Sequence, residues 1–178
     1  MTGIAFSSAL AAVLLALASP AMAHATLETQ QAPVGATYKG VMRVGHGCDG
    51  AATLKLRIRI PEAVIAVKPM PKPGWTLDVV KGAYDTPYDY YGTAMSEGVR
   101  EIVWTGKLPD EHYDEFTFRA YLTGGLQPET TLYFPTVQEC EGGKFHRWIE
   151  IPASGKSADS YEQPAPGVKL LPAKLRTH

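Results

Sequence analysis

Residues 53–60, TLKLRIRI, alternate apolar and basic side chains with a period of two. Successive strand side chains point to opposite faces, so Leu54, Leu56, Ile58 and Ile60 face one way and Lys55, Arg57 and Arg59 the other. That is a strand with one buried face. The same rhythm, less clean, marks strand candidates at 36–44, 63–67, 75–81, 100–105, 115–122, 131–138 and 145–151. Glycine and proline punctuate them: Pro69, Pro71, Pro73 with Gly74, then Gly92, Gly98, Pro109, Gly124 with Gly125, and Gly142 with Gly143. No segment carries a sustained 3.6-residue apolar stripe, so long helices are not expected. Short strands at this spacing predict an all-β chain, an immunoglobulin-like antiparallel β-sandwich, with a closed barrel as the alternative. Residues 153–178, rich in Pro, Ala, Ser and Lys with little periodicity, are expected to form a loosely ordered C-terminal tail.

The opening MTGIAFSSALAAVLLALASPAMA has an apolar core followed by Ala21-Met22-Ala23, the form of a signal peptide cut after Ala23. Its apolar run, about 15 residues, is short for a membrane span, and no later stretch approaches the required length. The expected mature chain is periplasmic or secreted and has no stable membrane span once the leader is removed. One sandwich domain, 24–152, then precedes the tail. The charges, 17 basic against 18 acidic, are nearly balanced and form no like-signed block, which argues against nucleic acid or anionic membrane as partner.

Both cysteines, Cys48 and Cys140, lie after the leader, and an oxidising compartment favours a disulfide between them. Closing so long a loop would disfavour the unfolded chain by about 4 kcal/mol in the entropic picture. A copper thiolate site is the alternative, and it would need reduced thiols in that compartment.

Cleavage after Ala23 would make His24 the first residue. Its α-amine and its imidazole Nδ1 could then close a chelate ring on one metal ion. Imidazole suits copper, zinc, iron and nickel, and copper(II) heads the divalent affinity order.

The later motifs extend this picture. The chain has a histidine after its leader, the turn Lys68-Pro-Met-Pro-Lys-Pro-Gly-Trp75, the strand Asp114-Glu-Phe-Thr-Phe118, and a last strand containing Trp148. In that order it resembles the YcnI-type extracytoplasmic copper-binding domain, over about residues 24 to 152. The resemblance implies a sandwich in which the N-terminal histidine binds copper(II) through amine and imidazole. It further implies one copper ion per chain, with His24 as chelator, Glu115 as carboxylate ligand and Trp148 as the neighbouring indole.

Alternation places Glu115 and Thr117 on the face opposite Phe116 and Phe118, so the carboxylate can point out of the core. Trp148 shares a strand face with His146 and Glu150; it could wall a metal site or be an ordinary core tryptophan. His146 is therefore a second-tier ligand. His46, in Gly45-His-Gly-Cys48, is another, or else a turn residue. His112 and His178 are expected to be solvated. The tyrosine-rich stretch 84–91 suits either a contact surface for a partner or sugar, or a hairpin packing its own aromatics. Trp75, after Pro73-Gly74, is expected to anchor the following strand.

Hydrolase, Walker, dinucleotide and His-Glu-x-x-His motifs are absent, as is a clustered methionine site. The expected protein is a non-enzymatic copper(II) binder for sequestration, delivery or homeostasis, whose partners are the copper ion and an exported donor or acceptor. The alternatives are a copper-dependent polysaccharide oxygenase and a metal-free interaction module.

Overall fold

A computed structural model describes residues 24–174. The expected leader, 1–23, and His178 lie outside the described residues. The strands are β1 (Thr26–Leu27), β2 (Gln31–Pro33), β3 (Ala36–Val44), β4 (Thr53–Arg59), β5 (Val64–Pro69), β6 (Thr76–Tyr90), β7 (Thr93–Leu108), β8 (Asp114–Leu122), β9 (Thr131–Tyr133), β10 (Thr136–Cys140), β11 (Phe145–Trp148) and β12 (Gly167–Leu171). They form a four-stranded sheet, β1-β3-β8-β5, and a five-stranded sheet, β11-β10-β4-β7-β6. A small third sheet, β2-β12-β9, adds to these. The result is an all-β, immunoglobulin-like sandwich. No described helix is long and apolar enough to cross a membrane.

The core is what the alternation implies. Leu56, Ile58, Ile102 and Trp104 come from the five-stranded sheet and Met42, Phe116, Phe118 and Leu122 from the four-stranded one, all fully buried in one cluster. Leu54 departs from the expected face. A register shift between Thr53 and Lys55 turns Thr53 inward instead, leaving Leu54 half-buried. Trp75 anchors as expected, edge-on to Phe116 at 4.9 Å.

The tyrosine stretch is the end of a long hairpin. Tyr91 and Gly92 both take positive φ, 51° and 83°, the conformation that lets a two-residue turn follow the twist of β6 and β7. The Asp89 carboxylate accepts the Gly92 N–H at 3.1 Å. Tyr90 packs on Tyr91 and Tyr121 at 4.8 and 5.4 Å, so these aromatics pack largely on one another.

Two expectations need correction. The single strand expected over 131–138 is broken at Phe134-Pro135, where the chain passes from the β9 sheet to the β10 sheet; proline cannot donate to a ladder, and its carbonyl instead accepts from Arg59 N at 2.9 Å. The tail is also not loose throughout. Its β12 pairs parallel with β2 and antiparallel with β9, and Val168 and Leu170 are buried in the main core. Alternation there spans only five residues inside a polar, proline-rich context, too short to stand out.

Deleting 153–178 therefore exposes the apolar surface that Val168 and Leu170 cover, at about 1.5–3 kcal/mol each. Thermal denaturation followed by circular dichroism should show a large fall in Tm; an unchanged Tm would mean the tail is dispensable.

Tyr38 gives a second test. Its buried hydroxyl donates to Thr29 O at 2.7 Å, and burial, with Glu28 nearby, raises its pKa well above the ordinary tyrosine value. A raised pKa stabilises the fold fully below the unfolded value of about 10 and loses that contribution as pH climbs above it. Tyr38→Phe should make the alkaline fall of stability shallower in urea titrations between about pH 9 and 12.

Candidate metal centre

The centre is built on the five-stranded sheet beside the disulfide. Cys48 and Cys140 are bonded, with Cα atoms 5.9 Å apart, as expected. This ties the β3–β4 loop, which carries His46, to the end of β10. Gln138 sits on β10 in the row Leu56–Gln138–His146, and Trp148 sits two rows away opposite Thr136. Since side chains of one phase share a face, Gln138, His146 and Trp148 all turn toward the interior.

Gln138 is almost wholly buried, and its amide is fully used. Nε2 donates to the His46 carbonyl and to Thr53 Oγ1, both at 2.7 Å, while Oε1 accepts from Trp148 Nε1 at 3.5 Å. The inward turn of Thr53 at the bulge supplies one of these partners.

Around the buried Trp148 the imidazoles gather. His24, just ahead of β1, lies with its ring 5.4 Å from that indole. β1 and β11 are the edge strands of their sheets, so this contact bridges the two sheets at one open side of the sandwich. His24 Nε2 is buried without a hydrogen-bond partner. His146 lies 4.9 Å from Trp148, and His46 lies 5.8 Å from His146 with the planes at 89°. His46 Nδ1 must donate, because its contact at 2.6 Å is the Gly47 carbonyl oxygen, an acceptor only. Burial and the neighbouring His46 push the His146 imidazole below its ordinary pKa, favouring the neutral form that binds metals. His46 lies at a bend just before the Cys48–Ala51 turn, whose ends exchange backbone hydrogen bonds. His112 is exposed.

Glu115 is on the outer phase of β8, beside the fully buried Phe116. Its carboxylate accepts from Tyr113 Oη and pairs with Arg43 Nε at 3.7 Å; Arg43 also reaches Glu28 at 3.6 Å. Thr26, Arg43 and Glu115 form one row across β1, β3 and β8. The structure thus joins His24, Trp148, His146 and His46 through ring contacts and places Glu115 in a neighbouring ionic row. No group of three or more His, Cys, Asp or Glu side chains poised around one ion occurs among the described residues. An amine from the chain end would be a donor of another kind.

Sequence reasoning missed Gln138 and Arg43. The signal for Gln138 was present: Thr136, Gln138 and Cys140 hold the buried phase of their strand, and a glutamine there needs partners.

A solved structure of an uncharacterized protein from Nocardia farcinica, with an immunoglobulin-like fold, is similar to this chain at a TM-score of 0.60 and 23% identity, covering 83% of this chain and 98% of the other. At that identity the likeness concerns the fold. No curated protein matches the chain. The chain belongs to the family described as a domain of unknown function (DUF1775), which matches residues 24–170. The match opens at His24 and runs into β12.

Gln138→Leu strands the His46 carbonyl, the Thr53 hydroxyl and the Trp148 N–H in the interior, at about 1–3 kcal/mol per group left unsatisfied. Chemical denaturation should show a loss of about 2 kcal/mol or more, and near-ultraviolet circular dichroism should show Trp148 in a changed setting. Unchanged stability would contradict the role given to this amide.

Proposed function

We propose that this chain is an extracytoplasmic copper(II)-binding protein that takes one ion per chain and sequesters it or hands it to another exported protein. The reading rests on one observation above the rest, the burial of Nε2 of a His24 ring that lies 5.4 Å from the Trp148 indole. The two ring nitrogens are distinct sites, and walling off Nε2 leaves Nδ1 as the nitrogen able to meet an ion. Nδ1 is also the nitrogen that can chelate together with the amine of the same residue. The donors are chemically suited to copper(II), which accepts nitrogen and oxygen in tetragonal surroundings. The ion is cargo in this reading, and the protein acts as a carrier and not as an enzyme.

Hydrolysis of the bond between Ala23 and His24 creates the amine, so export and cleavage make the site. A family match that starts at His24 supports this boundary. Glu115 would join as the carboxylate ligand by leaving Arg43, and Glu28, already at 3.6 Å, would keep that guanidinium paired. Trp148 would wall the ion from water and hold the ring.

Copper(II) titration with electron paramagnetic resonance on three forms tests the proposal: protein beginning at His24, a version extended at its N-terminus, and Glu115→Ala. The first should bind one equivalent tightly, the second much more weakly, and the third with an altered spectrum. Equal binding by the extended form would refute the chelate. Tryptophan quenching should survive Trp75→Phe and vanish in Trp148→Phe. Affinity should fall as pH drops below the α-amine pKa near 8, about tenfold per unit, because the amine must lose its proton to bind. Reductant-driven peroxide formation or polysaccharide cleavage by the copper form would instead indicate an oxygenase.

A further inference from the structure

The β4–β10–β11 end of the five-stranded sheet carries a groove of about 650 Å³ on its outer face, the face turned away from Gln138 and Trp148. Its apolar part is Val137 with Phe145, Ile149 and Ile151, the last three 51, 43 and 60% exposed. Exposed apolar side chains scattered singly need no partner, whereas several gathered along one groove mark a contact surface.

Charge along the groove is uneven. Arg57, Arg59, Lys144 and Arg147 line it against two carboxylates, Glu101 and Glu139. Arg57 engages both carboxylates, at 3.1 and 3.4 Å, and Lys55 also reaches Glu139 at 3.5 Å. Lys144 Nζ donates to the Asp49 carbonyl at 2.9 Å. Arg59 and Arg147 pair with no carboxylate among the described residues. The Arg147 guanidinium rests over the Phe145 ring at 4.4 Å, a contact that leaves its N–H groups open to an anion.

The ladder spaces these two cations. Arg57 and Arg147 lie on either side of Val137 in one row, and Arg59 is two residues further along β4. Two strand spacings across and two residues along separate the Arg59 and Arg147 Cα atoms by about 12 Å. Side chains at i and i+4 of an extended segment are about 13 Å apart on one face, with the side chain at i+2 midway.

We propose that this groove docks an extended segment of a partner protein, which presents carboxylates at i and i+4 to Arg59 and Arg147 and an apolar side chain between them to Val137 and Phe145. A concave surface suits a polypeptide better than a flat lipid layer, and Glu101 and Glu139 would repel a continuous sheet of anionic headgroups. The cavity beside His24 is lined by other residues, among them Gln30, Tyr133 and Lys156, so a partner held in the groove leaves that cavity open. Docking here is independent of copper.

Amide NMR of the purified, isotope-labelled protein titrated with the capped peptide Glu-Thr-Val-Thr-Glu tests the proposal without any variant. Saturable shifts should concentrate at 57–59, 137–139 and 145–151, and the capped peptide Gln-Thr-Val-Thr-Gln should bind about tenfold more weakly. Arg59→Ser and Arg147→Ser should each weaken the acidic peptide about threefold, with amides outside the groove unshifted, whereas Lys169→Ser should bind it as the unmutated protein does. The proposal is overturned if the shifts fail to saturate or fall elsewhere, if the uncharged peptide binds equally well, or if either arginine variant keeps full affinity. Saturable binding to vesicles of equimolar phosphatidylcholine and phosphatidylglycerol, with none to the peptide, would make the surface a membrane contact and overturn it as well.

Discussion

A primary amide in a protein interior must find two acceptors and a donor, and Gln138 does so with its neighbours on three segments. Thr53 comes from the bulged start of β4, the His46 carbonyl from the loop after β3, and the Trp148 N–H from the end of β11. Leaving such groups unpaired costs more than pairing them gains, so the amide acts chiefly as a specificity constraint. It admits one relative placement of those segments. The disulfide reinforces it at the same spot by fastening the loop to β10. The rings of His46, His146 and Trp148 sit on segments held by this arrangement.

Much of the sandwich could be read from alternation because the strands with one buried face carry their own pattern. β4 and β8 were legible almost residue by residue; β8 begins only one residue before the expected Glu115. What escaped was set by partners far away in sequence. Leu54 leaves its expected face because of a bulge whose register depends on β7, and β12 is a strand because β2 and β9 offer it ladders on both sides. The bond between the two cysteines followed from compartment chemistry alone. For the candidate site, the neighbourhood of His24, Trp148 and His146 was foreseeable from strand phase and resemblance. The ionic row of Glu115 was not, because strand pairing, invisible to local pattern, brings Arg43 opposite it.

That ionic row changes the meaning of the glutamate. Arg43 stands between two carboxylates on a partly exposed surface, where each pair contributes little to stability. Weak pairing is compatible with exchange: a guanidinium that already touches Glu28 stays neutralised when Glu115 turns elsewhere. A buried, tightly held pair would instead resist such exchange, because breaking it would leave an uncompensated charge.

The parallel pairing of β12 with β2 has an implication for the order in which the molecule closes. β2 spans Gln31–Pro33 and β12 spans Gly167–Leu171, far apart in sequence, and β12 also lies close to β1. Contacts between segments so distant in sequence carry a large loop-closure entropy and form late. In a chain that emerges N-terminus first, the segment bearing His24 is made well before β12 and is fastened only after β12 has followed. The side of the sandwich that holds His24 would thus close only once β12 is present, so a chain still short of β12 carries its histidine without the sheet that gives it a place.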